Sequence, residues 1–274
     1  MNTKSYTSKY QKLQEIINSY PSAAVAFSGG TDSTFLLKVA SDVLTKNLIA
    51  ITVSSPSLSR KEFDQAVTLA KQIGVKQIIL KSPDIDVEEV KNSSPKRCYF
   101  CKLNVFSKIK KEAATHNIFN IFDGSNIDDL SDYRPGMQAL KELEIIQPLQ
   151  QAQFTKNEIR LLSKDLGLAT WNKPALACLY TRFPYGEMVT LEKLSMIEEA
   201  EEYLHELGFS QLRVRHHGQI ARLEIEGSEM ENIFSIDLMN TISQKLKTLG
   251  FQFVALDLDG YSMGKMNQSI INQY

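Results

Sequence analysis

Apolar and polar residues alternate in blocks of two kinds over roughly the first 170 positions of the chain. Short continuous apolar runs occupy 23–27, 48–55, 77–82 and 120–125, and amphipathic helical patterns lie at about 31–43, 60–73 and 98–116. Continuous apolar strands separated by helices are typical of a parallel sheet that is buried on both faces. The pattern therefore predicts an α/β fold, in which ligands bind at the carboxyl ends of the strands.

The remaining residues follow a different pattern, which predicts a smaller α+β domain. A long helical pattern ends at Gly208, and two strands with alternating apolar residues then meet at a turn around His217-Gly218. A second helix is expected from about 229 to 249, and a last strand over 251–260. We place the two domains at 1–185 and 186–274, and expect His216 and His217 to be a solvent-facing turn pair.

The composition is that of an ordinary globular enzyme. Hydrophobic residues make up 43% and charged residues 23% of the 274 residues, and the net charge is -1. This charge gives no support to nucleic acid as a partner. No apolar run approaches the ~18 residues of a membrane span, and the polar N-terminus lacks the apolar run of a signal peptide. We therefore expect a cytoplasmic protein with no membrane partner.

A glycine-containing loop follows the first predicted strand and precedes a helix. Its residues are Ser28, Gly29, Gly30, Thr31, Asp32 and Ser33. Glycines allow backbone angles that other residues avoid, and free N–H groups at a helix N-terminus attract oxyanions. The two serines add hydroxyl donors, and Asp32 could orient the loop or help to hold Mg. An ordinary capped turn is the alternative interpretation.

The loop matches the SGGxDS signature of the PP-loop pyrophosphatases, which cleave ATP between its α and β phosphates. This resemblance implies that the six loop residues bind ATP. It leaves the activated substrate open, because amide-forming synthetases and sulfur transferases both use this loop.

Three cysteines suggest metal or redox chemistry in a compartment where thiols stay reduced. Cys98 and Cys101 would share one face at the start of a helix, where Arg97 and Lys102 favour the thiolate; Cys178 lies far along the chain. The CxxC spacing alone leaves zinc, redox and iron–sulfur sites open. Structural zinc needs four ligands, whereas three cysteines suit a 4Fe-4S cluster with one open iron that could hold sulfide.

Three segments give the chain a resemblance to the ATP-dependent sulfur transferases of nickel-pincer nucleotide synthesis, the LarE family. They are the SGGTDS loop, the segment 123–136 with its DYRPG element, and the segment KPALACLYTRFPYG (173–186) around Cys178. The resemblance covers the whole chain. It implies an adenine nucleotide alpha hydrolase-like PP-loop domain, ATP and Mg as cofactors, a small-molecule nucleotide substrate and a homo-oligomer.

In that family, ATP adenylates a carboxylate of a pyridinium dicarboxylate mononucleotide, and sulfur then gives a thiocarboxylate. One family version sacrifices the sulfur of the cysteine that matches Cys178, which becomes dehydroalanine. The other holds a 4Fe-4S cluster on a CxxC pair and that same cysteine. Because Cys98, Cys101 and Cys178 are all present, the chain resembles the cluster version. A sacrificial Cys178 with an incidental CxxC pair remains the alternative.

Four arginines are candidates for binding anions. Arg213 and Arg215 are two apart on a predicted strand and so point the same way, toward the phosphate of the substrate or of AMP as the resemblance implies. Their alternative is a solvated strand face. Arg182 could neutralise charge on the acyl-adenylate, or lie on the surface. Arg134, in the DYRPG element, is a further candidate for phosphate binding, and anchoring of this loop is its alternative role.

The remaining candidates lie at the ends of two other predicted strands. Thr52 and Ser54 fall where related folds seat adenine and ribose, an analogy of fold alone. Asn126, Asp128 and Asp129 could position the α-phosphate or Mg, although residues of these types are common in turns.

Three other functions compete with sulfur transfer. An ammonia-using PP-loop amide synthetase would need no thiol. A tRNA thiolation enzyme would pair the same loop with the cysteines but would need a basic RNA-binding face. A nucleotide sensor without catalysis would release no pyrophosphate.

Overall fold

A computed structural model describes residues 3–82, 84–131, 135–174, 177–262 and 265, which form two compact units. The first unit comprises Met1–Val87 and Lys96–Leu176, and the second comprises Glu88–Pro95 and Ala177–Tyr274. The sequence-based boundary between 185 and 186 therefore falls inside the second unit. In the described ranges no helix is both long and apolar enough to cross a membrane.

The described residues fold into α-helices and β-strands that are numbered in chain order. The helices are α1 (Thr3–Asn18), α2 (Thr31–Leu44), α3 (Arg60–Ile73), α4 (Glu88–Lys91), α5 (Arg97–Thr115), α6 (Gly136–Glu142), α7 (Pro148–Gln151), α8 (Lys156–Asp165), α9 (Leu191–Glu206) and α10 (Ile236–Thr248). The strands are β1 (Ala23–Ala26), β2 (Leu48–Ser54), β3 (Lys76–Lys81), β4 (Ile121–Phe122), β5 (Leu212–His217), β6 (Ile220–Ile225) and β7 (Phe253–Leu256). Short 3-10 helices lie at Thr45–Asn47, Asp84–Asp86, Ile127–Ser131, Leu179–Arg182 and Gly227–Ile233.

The first unit is built on a parallel sheet with the strand order β3-β2-β1-β4. Its two central strands are buried on both faces. Ala23 and Val25 belong to one core with α1, α2 and α8, whereas Ala24 belongs to a second core with α5 and α6. Successive residues of β1 thus contribute to different cores, because successive side chains of a strand point to opposite faces of the sheet. The predicted α/β fold with a parallel sheet is confirmed.

The strand order reverses at β1, which lies between β2 and β4. Such a reversal opens a crevice at the carboxyl ends of the strands, where α/β proteins bind ligands. The SGGTDS loop follows β1, and Asp123 follows β4. The prediction made β4 too long, because the Asp123 carboxylate accepts a hydrogen bond from the Ser125 N–H at 3.0 Å and closes a turn directly after Phe122.

The second unit has a three-stranded sheet with the order β5-β6-β7. β5 and β6 form the expected antiparallel hairpin, and β7 pairs parallel to β6 after the α10 crossover. The single helix expected over 229–249 is wrong, because a 3-10 segment precedes α10. Ser235 begins the new helix by accepting a hydrogen bond from the Leu238 N–H.

Candidate active site

The SGGTDS loop has a conformation that requires glycine at its second position. Gly29 has a φ of 71°, and a Cβ there would lie 2.8 Å from the Cβ of Ala66 in α3. The backbone can thus turn sharply from β1 into α2 while packing closely on α3.

Backbone N–H groups at the start of α2 provide the anion-binding feature of this loop. Gly30 is the N-cap residue and has no side chain that could bond to them. The loop serines bond to each other, with 3.2 Å between Ser28 Oγ and Ser33 Oγ, and Ser33 Oγ also lies 3.2 Å from the Gly30 carbonyl oxygen. These bonds fix the loop and leave the first N–H groups of α2 for a ligand.

The segment after β4 packs directly against this loop. A Cβ on Gly124 would lie 3.1 Å from the backbone nitrogen of Ser33. Asn126 is buried, and its Oδ1 accepts a hydrogen bond from the Asp128 N–H at 2.9 Å. The structure therefore brings the two predicted segments together at the crevice between β1 and β4.

A pocket of about 360 Å³ opens at this crevice. Its polar wall consists of Ser28, Gly30, Asp32, Ser33, Ser55, Ser57, Asp123, Gly124, Ser125 and Asp129. Its apolar wall consists of Ala26, Phe27, Ile51, Val53, Val105, Phe106 and Ile109, and Cys101 also lines the cavity. A polar wall at a helix N-terminus beside an apolar wall matches the two chemical parts of a nucleotide.

Asp32 carries the main charge of the loop. Burial raises the pKa of the Asp32 carboxyl above its ordinary value, although the Lys156 ammonium, 2.6 Å from Oδ2, acts in the opposite direction. Within the described ranges, Oδ1 of Asp32 has no hydrogen-bond partner. A buried carboxylate oxygen of this kind fits a cation such as Mg. The Asp128 carboxylate, the other predicted Mg ligand, accepts a hydrogen bond from the Lys156 N–H at 2.8 Å.

Thr52 and Ser54, which were predicted to contact adenine and ribose, are not among the residues that line the pocket. Residues next to them in the chain line it instead. The Thr52 hydroxyl is buried, donates to the Phe27 carbonyl oxygen at 2.7 Å, and accepts from Gln77. Ser54 ends β2, and Ser55 and Ser57 of the following loop line the pocket.

The three cysteines are thiols that belong to two units. Cys98 is exposed and Cys101 half-buried near the start of α5, whereas Cys178 is exposed in the second unit and precedes the 3-10 helix Leu179–Arg182. No group of three or more His, Cys, Asp or Glu residues in the described part of the chain is arranged to hold a metal ion.

Arg182 organises the segment around Cys178. Its guanidinium is buried and forms a bidentate ion pair with Glu201, at 2.9 and 2.8 Å. The same group donates to the carbonyl oxygens of Ala177, at 2.6 Å, and Cys178, at 3.2 Å. The alternative of a surface arginine is wrong, because Arg182 is buried. Its guanidinium links the Cys178 segment to Glu201 of α9.

Arg213 and Arg215 are also buried, so the alternative of a solvated strand face is wrong. Arg215 donates to Glu224 and to the Thr181 carbonyl oxygen, both at 2.7 Å. The Arg213 guanidinium stacks 4.8 Å from the Tyr261 ring centre. Burial, followed by the charge of Arg182, lowers the pKa of Arg213. The second unit thus gathers three guanidinium groups beside the Cys178 segment.

The expectation of a solvent-facing histidine pair is wrong for His216. Its ring is buried between Phe183 and Phe251, and Nδ1 lies 2.6 Å from Glu187 Oε1. Burial lowers the pKa of His216 below its ordinary value, although Glu187 acts in the opposite direction. Its neighbour on β5, His217, is half-buried.

Sequence reasoning missed two charged residues of the site, and one predicted residue falls outside the part of the chain that the structure describes. Arg134 lies outside the described residues. The missed residues are Asp123, which lines the pocket, and Lys156, which pairs with Asp32. Asp123 directly follows a strand that ends at the crevice, so its position could have indicated it. Lys156 is 124 positions from Asp32, and nothing local in the sequence connects the two.

Comparison with known proteins identifies relatives of this chain. A family model described as NAD synthase matches residues 6–117. The chain is 40% identical over 261 residues to an uncharacterised protein of Synechocystis, covering 95% of this chain and 97% of that protein. It is 32% identical over 237 residues to an uncharacterised protein of Methanocaldococcus jannaschii, covering 86% and 89%.

A third relative has a named activity. The chain is 36% identical over 247 residues to the pyridinium-3,5-bisthiocarboxylic acid mononucleotide synthase of Lactiplantibacillus plantarum, covering 90% of this chain and 89% of that enzyme. Similarity of this extent spans both units, including the loop after β1 and the cysteine segment. The chain belongs to the family of this synthase, the LarE family.

Proposed function

We propose that the protein is an ATP-dependent sulfur transferase that converts a carboxylate of a pyridinium dicarboxylate mononucleotide to a thiocarboxylate. One observation carries the proposal: four residues of the SGGTDS loop, including both of its serines, line the same pocket as Cys101. A phosphate-binding loop and a sulfur atom in one cavity are what adenylation followed by sulfur transfer requires.

The first step needs charge stabilisation on the departing group. A substrate carboxylate oxygen attacks the α-phosphorus of ATP, the bond to the bridging oxygen of the β-phosphate breaks, and pyrophosphate leaves with the bond electrons. The N–H groups at the start of α2, near Thr31 and Ser33, stabilise the negative charge of the polyphosphate. The acyl-adenylate that forms has AMP as its next leaving group, so a sulfur nucleophile can replace it.

Mg binding is assigned to Asp32, whose Oδ1 is buried and lacks a hydrogen-bond partner within the described ranges. When bound, Mg would supply positive charge to the phosphate oxygens. Asn126 and Asp128 are proposed to support this position from the loop after β4, where they bond to each other. Thr52 and Ser54 are proposed to shape the base and ribose side, since both lie near the end of β2.

We propose that the three thiols hold an iron–sulfur cluster, on the basis of cysteine chemistry and of the spacing of Cys98 and Cys101 on α5. Cys98 and Cys101 are three residues apart on α5, and Cys178 is exposed. These three residues would hold a 4Fe-4S cluster, which when bound would supply an open iron for sulfide. Sacrifice of the Cys178 sulfur is the second candidate, favoured by the exposure of that thiol.

The arginines of the second unit have two proposed roles. Arg182 positions Cys178 through the carbonyl oxygens of Ala177 and Cys178. Arg213 and Arg215 are proposed to bind a phosphate of the substrate or of AMP, with Arg134 as a further contributor. Their support is the convergence of buried guanidinium groups in one small domain.

Product analysis tests the reaction. The protein is incubated with Mg-ATP and the dicarboxylate mononucleotide, and AMP, pyrophosphate and the product mass are measured. We expect pyrophosphate release that depends on the substrate, and a product in which sulfur replaces a carboxylate oxygen. Ammonia in place of a sulfur source is the control. An amide product would contradict sulfur transfer, and an absence of pyrophosphate would contradict adenylation.

The sulfur route needs a separate measurement. The protein is purified without oxygen, and its absorbance, iron, zinc and sulfide contents are compared with those of Cys98→Ser and Cys178→Ser. A cluster predicts iron and charge-transfer absorbance that both variants lose. Sacrifice predicts an iron-free protein whose intact mass after turnover shows dehydroalanine at Cys178.

We further propose a homo-oligomer in the cytoplasm. The second unit exposes several large apolar side chains, namely Phe234, Ile236, Phe253 and Leu258, which a second copy could cover. Three cysteines that form no disulfide suit a reducing compartment. Light scattering after size-exclusion chromatography tests the assembly, and a monomeric mass would contradict it.

A further inference from the structure

Lys173 is a cation that the structure places against the SGGTDS loop. Its ammonium donates a hydrogen bond to the Gly29 carbonyl oxygen at 3.1 Å, across 144 positions of sequence. The loop residues on either side of Gly29, Ser28 and Gly30, line the pocket. A long lysine side chain is therefore fixed beside the anion-binding N–H groups of α2.

Further bonds hold the backbone of Lys173 in this place. Thr31 Oγ1 donates to the Thr170 carbonyl oxygen at 2.9 Å, and the Lys173 N–H donates to the same carbonyl at 3.1 Å. Arg160 Nη2 donates to the Lys173 carbonyl oxygen at 2.9 Å. The segment from Thr170 to Lys173 is thus fastened to the first residue of α2.

The charge of Lys173 is not compensated by an adjacent carboxylate. Within the described part of the chain, no carboxylate lies within ion-pair distance of its ammonium, and Glu62 acts on it only from farther away. Burial lowers the pKa of Lys173, which marks a cation that has lost water without gaining a counter-ion. Lys156 is the contrast, because its ammonium is already paired with Asp32 at 2.6 Å.

We propose that Lys173 is a further phosphate-binding residue of the ATP site, where its ammonium binds the pyrophosphate portion of ATP. The proposal rests on the proposed ATP-cleaving function and deepens it. An ammonium beside the loop adds a full charge to the partial charges of the N–H groups. It stabilises the pyrophosphate most when the bond to the α-phosphate breaks and negative charge accumulates there.

Binding of three probes tests this role in the full-length protein. Affinities for pyrophosphate, for the non-cleavable analogue α,β-methylene-ATP and for AMP are measured by calorimetry in Lys173→Met, Lys173→Arg and the wild type. We expect Lys173→Met to weaken pyrophosphate and analogue binding by about 10- to 100-fold, the size of a charge-assisted hydrogen bond. AMP affinity should remain within about twofold, and Lys173→Arg should keep most of the pyrophosphate affinity.

Lys164→Met is the matched control. This exposed lysine is on α8, and its ammonium lies 4.8 Å from the Trp171 ring centre, so the substitution removes a positive charge from the same neighbourhood. Its pyrophosphate affinity should equal that of the wild type. Equal pyrophosphate affinities in Lys173→Met and Lys164→Met would overturn the proposal. An equal loss of AMP and pyrophosphate binding in Lys173→Met would also overturn it, because such a loss indicates a structural role. A wild type that binds pyrophosphate but never cleaves ATP would contradict the proposed function instead.

Discussion

The two units differ in the source of their positive electrostatic potential: backbone N–H groups in the first unit and buried arginines in the second. In the first unit, the SGGTDS loop presents backbone N–H groups and glycines, and Asp32 is its one charged residue. In the second unit, Arg182, Arg213 and Arg215 are buried and are balanced by Glu201 and Glu224. A backbone site depends on close packing, whereas a buried-charge site depends on its counter-charges. The two regions should therefore respond differently to substitution.

The largest expected effect is on stability, at the ion pair of the second unit. Glu201→Gln leaves the buried Arg182 without its counter-charge and should lower the free energy of unfolding by about 3–5 kcal/mol. Urea unfolding followed by circular dichroism measures the loss. Trp171, the one tryptophan of the chain, lies in the first unit, so its fluorescence shows whether that unit unfolds in the same transition. A loss below about 1 kcal/mol would contradict the role assigned to this pair.

The next effect is on ATP cleavage, at the backbone site of the first unit. Gly29→Ala should reduce pyrophosphate release by about 100-fold, because a Cβ would press on Ala66 and deform the loop. Gly74→Ala is the matched control, since Gly74 also has a positive φ, of 83°, but has open space around its Cβ position. The control should lose about 1 kcal/mol of stability and no activity. Similar activity losses in both variants would contradict the role assigned to the packing of Gly29 on α3.

A third effect is the pH dependence of stability. Burial acts to raise the pKa of Glu201, but the attraction of Arg182 and the hydrogen bonds outweigh it and hold the pKa below the ordinary 4.5. The stabilisation is therefore complete above that value and is lost as the pH falls through the lower, folded-state pKa. We expect the acid slope of the unfolding free energy to be smaller in Glu201→Gln. Asp32→Asn should change the slope in the opposite sense, because burial raises the pKa of Asp32. An unchanged slope in both variants would contradict this assignment.

The smallest effect is expected at an exposed ion pair. Lys38 and Asp42 are one turn apart on α2, with 2.7 Å between Nζ and Oδ1 and both side chains partly exposed. Asp42→Asn should change the free energy of unfolding by no more than about 0.5 kcal/mol. The same denaturation assay measures it. A loss as large as that of Glu201→Gln would show that burial does not separate the two ion pairs.

Much of the first unit could be predicted from sequence because its signals are local. The apolar runs of β1 and β2 and the helical period of α3 predicted the correct element types, and their boundaries agree closely with the structure. The SGGTDS loop was recognisable because its residues are consecutive. β4 was too long in the prediction because a side-chain bond of Asp123, and not hydrophobicity, ends it.

The second unit was harder to predict because its charged residues have distant partners. Arg182 meets Glu201 across 19 positions, and Arg215 meets Glu224 through the register of the hairpin. A charged residue in a sequence is expected at the surface unless its partner is known. For the same reason His216 was expected in solvent, although Glu187 and two aromatic rings enclose it.

The order of residues along the chain alone specified a parallel α/β sheet, an anion-binding loop after its first strand, and three thiols suited to sulfur chemistry. The folded chain decided which distant groups meet: Cys101 with the SGGTDS loop in one pocket, Lys156 with Asp32, and Lys173 with Gly29. The physical reason is the distance along the chain over which each interaction acts. Backbone conformation and hydrophobic period act between near neighbours, whereas burial and charge pairing depend on contacts that exist only after the chain has folded.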